Sequence, residues 1–340
     1  AASEALLSKL QVPLGVPAPT PQEYLLARKL PVAKALQGGL LPDEMAVPLG
    51  LVASLAAHHE VRRAGEEALK LCSQKVDWEE PGLVLVLYKL LLGDADKAGA
   101  GPVVPVEERR TPAEVPVRVG VLGLLCRSVR AANSFPHTLQ AIFTCMYGAD
   151  ASVRLKQGAM QLTSWTLRHA TDQVLAPMAG VVLSGLLRFI AAEAPEGGDA
   201  QQASLLKGFT YSAIGQLAQR APNLFASDAS IAERLFAALG EEAPDLKVSV
   251  QEALSLCCGA YVGASAEVKE RLMALLQKAS QEPAHQARFC GVYWVNRLFP
   301  FHDVRAREVC VGAVGDSKVE VREEAKRGLA LPDPSSSLPP

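Results

Sequence analysis

The side chains able to do chemistry in this chain are few and scattered. His58-His59-Glu60 is the densest run of metal-ligating or acid–base groups. Neighbouring residues on a helix diverge by about 100°, and no third ligand stands at helical spacing, so the trio reads as a solvated helix start. Cys257-Cys258 would be a redox pair or half of a metal site if the sequence supplied a second pair. It supplies none, which leaves two small core residues. No GxSxG elbow, P-loop or HExxH occurs, and Gly99-Ala100-Gly101 runs into Pro102 instead of opening a helix. Neither catalysis nor nucleotide binding is expected, and no metal or cofactor is called for. Trp78, Trp165 and Trp294 are types favoured as interface anchors, but in so apolar a chain packing is the simpler role.

What does recur is a cation. Arg62, Arg118, Arg154, Lys207, Lys247, Arg288 and Arg322 each follow an apolar residue, and five residues later comes a two-residue step usually ending in Leu, Ile or Val. Val61-Arg62 leads to Ala68-Leu69, Val117-Arg118 to Leu124-Leu125, Leu206-Lys207 to Ala213-Ile214, Leu246-Lys247 to Ala253-Leu254, and Val321-Arg322 to Gly328-Leu329. The Arg154 copy is looser and ends in Met160-Gln161. The mean spacing of about 43 residues falls in the HEAT or armadillo range and above ankyrin and tetratricopeptide periods. The two longest intervals hold insertions near 93–110 and 194–202, which map to loops.

The elements that must position these cations are helices. Apolar residues recur at three-to-four spacing, and period-two alternation is scarce. Each basic helix follows another amphipathic segment, at about 41–57, 81–92, 135–147, 173–193, 227–241, 265–280 and 302–314. The expectation is an all-α fold, an α-solenoid of about seven HEAT-like helical hairpins, each burying its apolar stripe only against its neighbours. The solenoid would occupy 41–330, after a partial repeat and linker over 1–40 and before a disordered Pro/Ser tail over 331–340. Capping boxes are expected at Thr20 with Glu23, Thr111 with Glu114, Ser230 with Glu233 and Ser317 with Glu320, with Pro21 and Pro112 at first helical positions.

Composition excludes several classes. The chain has 340 residues, 49% apolar and 5% aromatic, with a mean hydropathy of +0.14, enough apolar surface to offset ordering entropy. Thirty-four Lys and Arg stand against 36 Asp and Glu, so no global excess points to nucleic acid or an anionic membrane, although a local patch stays open. The longest apolar stretch, 174–192, is interrupted by Pro177 and Arg188, and 83–92 is too short to span hydrocarbon, so no transmembrane segment is expected. The seven cysteines form no CxxC, which fits a reducing compartment. Ala1 opens the chain with no basic stretch before an apolar core, the pattern expected of a piece of something longer without a secretory signal.

Charge is segregated by layer. The second helices of the hairpins carry about nine more basic than acidic residues, against a net of −2 for the whole chain. Second helices usually line the inner surface of such stacks, so the seven cations would form a ladder for an acidic partner segment. The alternative is an internal ladder, with Asp150 near Arg154 and Asp316 near Arg322 as candidate partners. Both readings stay open on the sequence.

Several stretches are more specific than a generic repeat. Val250-Gln251-Glu252-Ala253-Leu254-Ser255-Leu256 running to Gly259-Ala260-Tyr261, with Ala221-Pro222-Asn223-Leu224-Phe225 and Leu235-Phe236-Ala237-Ala238-Leu239 before it, resembles the extracellular-mutant-twenty-nine family of proteasome adapters and scaffolds. The segment from Gly315 to Ala325 is similar to a later repeat of that family, and the likeness extends through His59–Gly65. The resemblance implies a non-catalytic α-solenoid that binds the proteolytic core particle and the ATPase-containing regulatory particle, tethers them, and helps survey or relocate proteasomes. It also implies residence in cytoplasm and nucleus, with peripheral attachment at endoplasmic reticulum or endosomes. No binding-residue motif of that family maps onto these positions. A HEAT scaffold for another assembly, such as a transport or vesicle-coat adaptor, fits the bare repeat equally well, and an enzyme built around His58-His59-Glu60 is the reading from a different class.

Overall fold

The computed structural model describes residues 30–56, 58–72, 76–93, 112–192 and 200–330, and no strand occurs among them. The expected linker, the caps at Thr20 and Thr111, most of both insertions and the Pro/Ser tail lie outside the described residues. The helices are α1 (Asp43–Ser54), α2 (His59–Cys72), α3 (Pro81–Leu92), α4 (Val115–Leu125), α5 (Val129–Ala132), α6 (His137–Tyr147), α7 (Val153–His169), α8 (Asp172–Ala191), α9 (Ala200–Arg220), α10 (Pro222–Ala226), α11 (Ser230–Glu241), α12 (Pro244–Cys257), α13 (Ala266–Ala279), α14 (His285–Leu298), α15 (Val304–Ala313) and α16 (Val319–Leu329). Residues 200–202, expected in an insertion, form the first turn of α9.

The chain divides within α3 into two compact units, Ala1–Leu87 and Tyr88–Pro340. In the first, helical residues 30–37 and the α1–α2 hairpin close on a core of Ala33, Leu36, Ala46, Ala53, Val61, Ala64 and Ala68. The small side chains let α1 and α2 approach closely. A Cβ on Gly65 would stand 2.6 Å from the Gly50 carbonyl oxygen, so only glycine fits at this crossing.

The second unit is an α-solenoid of HEAT-like hairpins. Its second helices stack in chain order, α4 on α7, α7 on α9, α9 on α12, α12 on α14 and α14 on α16. The first helices α6, α8, α11, α13 and α15 each pack on the second helix of their own hairpin. The inner second helices α7, α9, α12 and α14 therefore each have three sides covered and one open. Leu122, Leu155, Met160, Tyr211, Ile214, Leu254 and Trp294 fill the layer between, all below 2% exposure. The helix α8 is long and apolar enough to cross a membrane by length and composition, and in the stack it buries Leu175, Met178, Val182, Leu183 and Leu186.

Helix starts are capped at other residues than those expected. Ser128, Ser152 and Ser265 accept the third backbone N–H of α5, α7 and α13, and Asp303 does so for α15. At α11, Ser230 is already helical behind Ala229, the Asp228 carboxylate takes the Ser230 hydroxyl and N–H in place of the expected box, and Glu233 is held by Arg271 at 2.8 Å. At α16 the flanking residue is Lys318, whose N–H is taken by the Asp316 carboxylate at 2.8 Å in place of the Ser317 box. The helix α4 begins at Val115 with Pro116 in its first turn, so Pro112 is not a first helical residue.

The basic ladder as candidate interaction surface

The seven cations share a place in the repeat but not an environment. Arg288 is half-buried and grips the Asp316 carboxylate with two N–H groups, Nε at 2.5 Å and Nη2 at 3.0 Å, while Nη1 donates to the Glu282 and Pro283 carbonyls. The Arg288 guanidinium holds the Asp316 carboxyl well below the usual range, at about 2. Asp316 lies in the turn before α16, so the pair fastens one hairpin to the next. Lys207 repeats the device at 3.0 Å on Glu242, in the turn before α12, and the Tyr211 hydroxyl donates to the same carboxylate at 2.8 Å. Burial first, and Glu242 second, push the Tyr211 phenol far above its ordinary range.

Three other members stay close to home or find no carboxylate. Lys247 donates to the Gly240 carbonyl at 3.4 Å. Arg322 donates to the Asp316 main-chain carbonyl at 2.7 Å, leaving the carboxylate to Arg288. Arg118 is 3% exposed, with Nη2 3.8 Å from the Cys145 sulfur and a buried Nε that meets no hydrogen-bond partner among the described residues. By analogy with Arg288 and Lys207 its partner would be Asp150, in the turn before α7. Asp150 is exposed and forms no ion pair among the described residues, with Arg118 or with Arg154. A buried guanidinium without a carboxylate bears a desolvation cost that one long contact to a sulfur offsets only in small part. Replacing Arg118 by Met is accordingly expected to leave stability unchanged or raise it by up to about 2 kcal/mol in chemical denaturation. A loss of similar size would show that the guanidinium is satisfied in solution.

Arg62 and Arg154 are exposed and form no ion pair among the described residues. They are the ladder positions at which charge is presented outward.

His59 opens α2, its ring stacks on that of half-buried His58 at 5.0 Å, and Glu60 is exposed. No group of three or more potential ligands occurs among the described residues. Cys257 and Cys258 are buried free thiols, and burial pushes Cys258 up to about 12. Trp294 is fully buried, and Trp165 donates from Nε1 to the Ser128 carbonyl at 2.8 Å. Unforeseen was Glu324, 3% exposed on α16, whose carboxylate accepts from Asn296 at 3.1 Å, Arg297 at 3.3 Å and Arg327 at 3.0 Å. Its signal was an acid in the apolar stripe between Val321 and Ala325.

Among the described residues the stack of hairpins, fastened in part by Arg288 and Lys207, presents extended faces. The family comparison decides its kind: the model described as "Proteasome component ECM29, N-terminal" matches residues 4–313. The chain belongs to the ECM29 family. The match lies in that family's N-terminal region. The human proteasome adapter and scaffold protein ECM29 is 29% identical over 312 residues, 92% of this chain and 16% of that protein. The proteasome component ecm29 of Schizosaccharomyces pombe is 29% identical over 210 residues, 61% of this chain and 12% of that protein. The Drosophila melanogaster proteasome-associated ECM29 homologue is 25% identical over 227 residues, covering 66% and 11%. The chain thus spans about a sixth or less of the length of these ECM29 relatives.

Proposed function

We propose that this chain is part of a non-catalytic proteasome adaptor that helps tether the core particle to the regulatory particle, with roles in assembly, quality control or localisation. The observation that carries the reading is the ECM29 N-terminal match across nearly the whole chain. An open stack of hairpins suits the task, because a long surface touches two particles at once and gains affinity through effective concentration. The setting that goes with this role is cytoplasm and nucleus, with peripheral attachment at endoplasmic reticulum or endosomes through partners.

The seven-residue ladder enters this reading through Arg62 and Arg154, the members whose charge faces outward. Affinity capture of the tagged chain from cell lysate, with identification of co-purifying proteins at low and raised salt, is the test. Stoichiometric core and regulatory subunits are expected, reduced by the Arg62→Glu/Arg154→Glu variant with its helical melt unchanged. Coat or transport proteins without proteasome would overturn the assignment.

A further inference from the structure

We propose that the open face of the second helices at α7, continued by α9, holds an extended acidic segment of a partner protein. This rests on the adaptor reading above and names the chemistry of its partner.

The open side of α7 is one stripe, Arg154, Gln157, Gln161, Ser164 and Arg168, at intervals of three and four residues. The opposite sides are buried, with Leu155, Gly158 and Met160 in the stack. The stripe holds neither a carboxylate nor an apolar residue. Its two arginines are exposed and form no ion pair among the described residues. Around them the charge is one-sided: between Val115 and Thr171 six Lys and Arg stand against the single acid Asp150, in a chain of net charge −2.

The middle of the α7 stripe is amide and hydroxyl, and the matching stripe on α9 is Leu205, Phe209, Ser212 and Gln216, apolar and exposed at its start and polar toward its end. The Gln216 Oε1 is buried and meets no hydrogen-bond donor among the described residues, and its Nε2 reaches only Ser212, at 3.5 Å. Glutamine side chains offer a donor and an acceptor each, the pair a peptide backbone needs from its host. Arg154 and Arg168 are fourteen positions apart, about 21 Å along the helix. That distance is spanned by about six extended residues, so the fitting ligand bears carboxylates at both ends of such a stretch. A polynucleotide carries charge at every residue, and this stripe offers cations only at its two ends, which favours a segment with carboxylates at those ends. One helix further, Asp245 and Glu252 are exposed on α12, and Asp245 accepts from Ser204 of α9 at 2.6 Å, so acids border α9 and the acidic ligand is centred on α7.

The test is fluorescence anisotropy on the 340-residue chain with a labelled peptide of about ten alternating Glu and Ser residues, an equivalent Lys/Ser peptide and an oligouridine. The acidic peptide is expected to bind and the basic peptide not. Arg154→Glu/Arg168→Glu is expected to weaken binding about tenfold or more, as is raising salt from about 50 to about 300 mM. Gln161→Ala, which touches no charge, is expected to weaken it several-fold. No binding of the acidic peptide, binding indifferent to the double reversal, or tighter binding of oligouridine would overturn the proposal. If the peptide does not bind while proteasome capture persists, this surface fails alone. If the peptide binds as described while capture yields no proteasome, the adaptor reading fails and this surface stands.

Discussion

Replacing Asp316 by Asn is expected to cost about 2–3 kcal/mol of folding stability at neutral pH, the amount that goes with a carboxyl held at about 2 against an ordinary 3.8. The Asp316 side chain is 8% exposed and that of Arg288 16%, so the amide would leave a guanidinium desolvated and short of charge. The same carboxylate holds the Lys318 N–H at 2.8 Å, a bond the Asn carbonyl can keep only by turning its amide toward the Arg288 guanidinium. The effect is pH-linked with a definite sign. The carboxyl sits at about 2 in the folded chain against an ordinary 3.8, so its stabilisation is fully present above about pH 4 and lost as pH falls toward 2. Denaturant midpoints of the native chain and Asp316→Asn should therefore differ widely at pH 7 and converge on acidification. A gap that is small, or the same at both pH values, would show that the pair does not fasten the hairpins. Arg118→Met is the internal control, since the same repeat position there lacks a carboxylate and the expected change has the opposite sign.

Truncating Trp294 to Ala is expected to cost about 3–5 kcal/mol, the cost of emptying a large buried aromatic site. Trp294 is 0% exposed on α14, edge-on to Phe236 at 5.4 Å and beside Tyr261 at 5.3 Å. It thus joins three successive elements, α11, the turn after α12, and α14. Its Nε1 donates to the Leu254 carbonyl at 3.1 Å. Trp294→Phe keeps most of the ring contact and forfeits that bond, so about 1–2 kcal/mol is expected. Circular dichroism follows both variants. In a stack where each hairpin touches only its neighbours, the loss should appear in amide exchange first between α11 and α16. Equal costs for Phe and Ala would indicate that the hydrogen bond outweighs the packing.

The hairpins were legible in the sequence because their cause is local. Three-to-four spacing of apolar residues sets which face of each helix is buried, and this holds whatever the helix packs against. The segments expected at 81–92, 265–280 and 302–314 accordingly appear as Pro81–Leu92, Ala266–Ala279 and Val304–Ala313. Caps were less legible. Ser230 and Ser317 satisfy a four-residue pattern, but nearby carboxylates and arginines compete for the same groups, and Asp316 wins the Lys318 N–H.

The residues at one repeat position show where sequence stopped. Arg118, Arg154 and Arg288 each sit near the start of a second helix, directly after an apolar residue. One is buried without a carboxylate, one faces water, and one holds a buried bidentate pair. The repeat pattern, the helical class and the excess of cations in the second layer were determined by the sequence alone, since each depends on residues within one or two turns. Which cation finds a partner was decided only by the tertiary structure. The partner comes from the turn of the next hairpin, 28 residues on for Arg288 and 35 for Lys207, and its reach depends on how one hairpin is offset against the next. That offset is set by packing across the interface between hairpins, which no local pattern encodes.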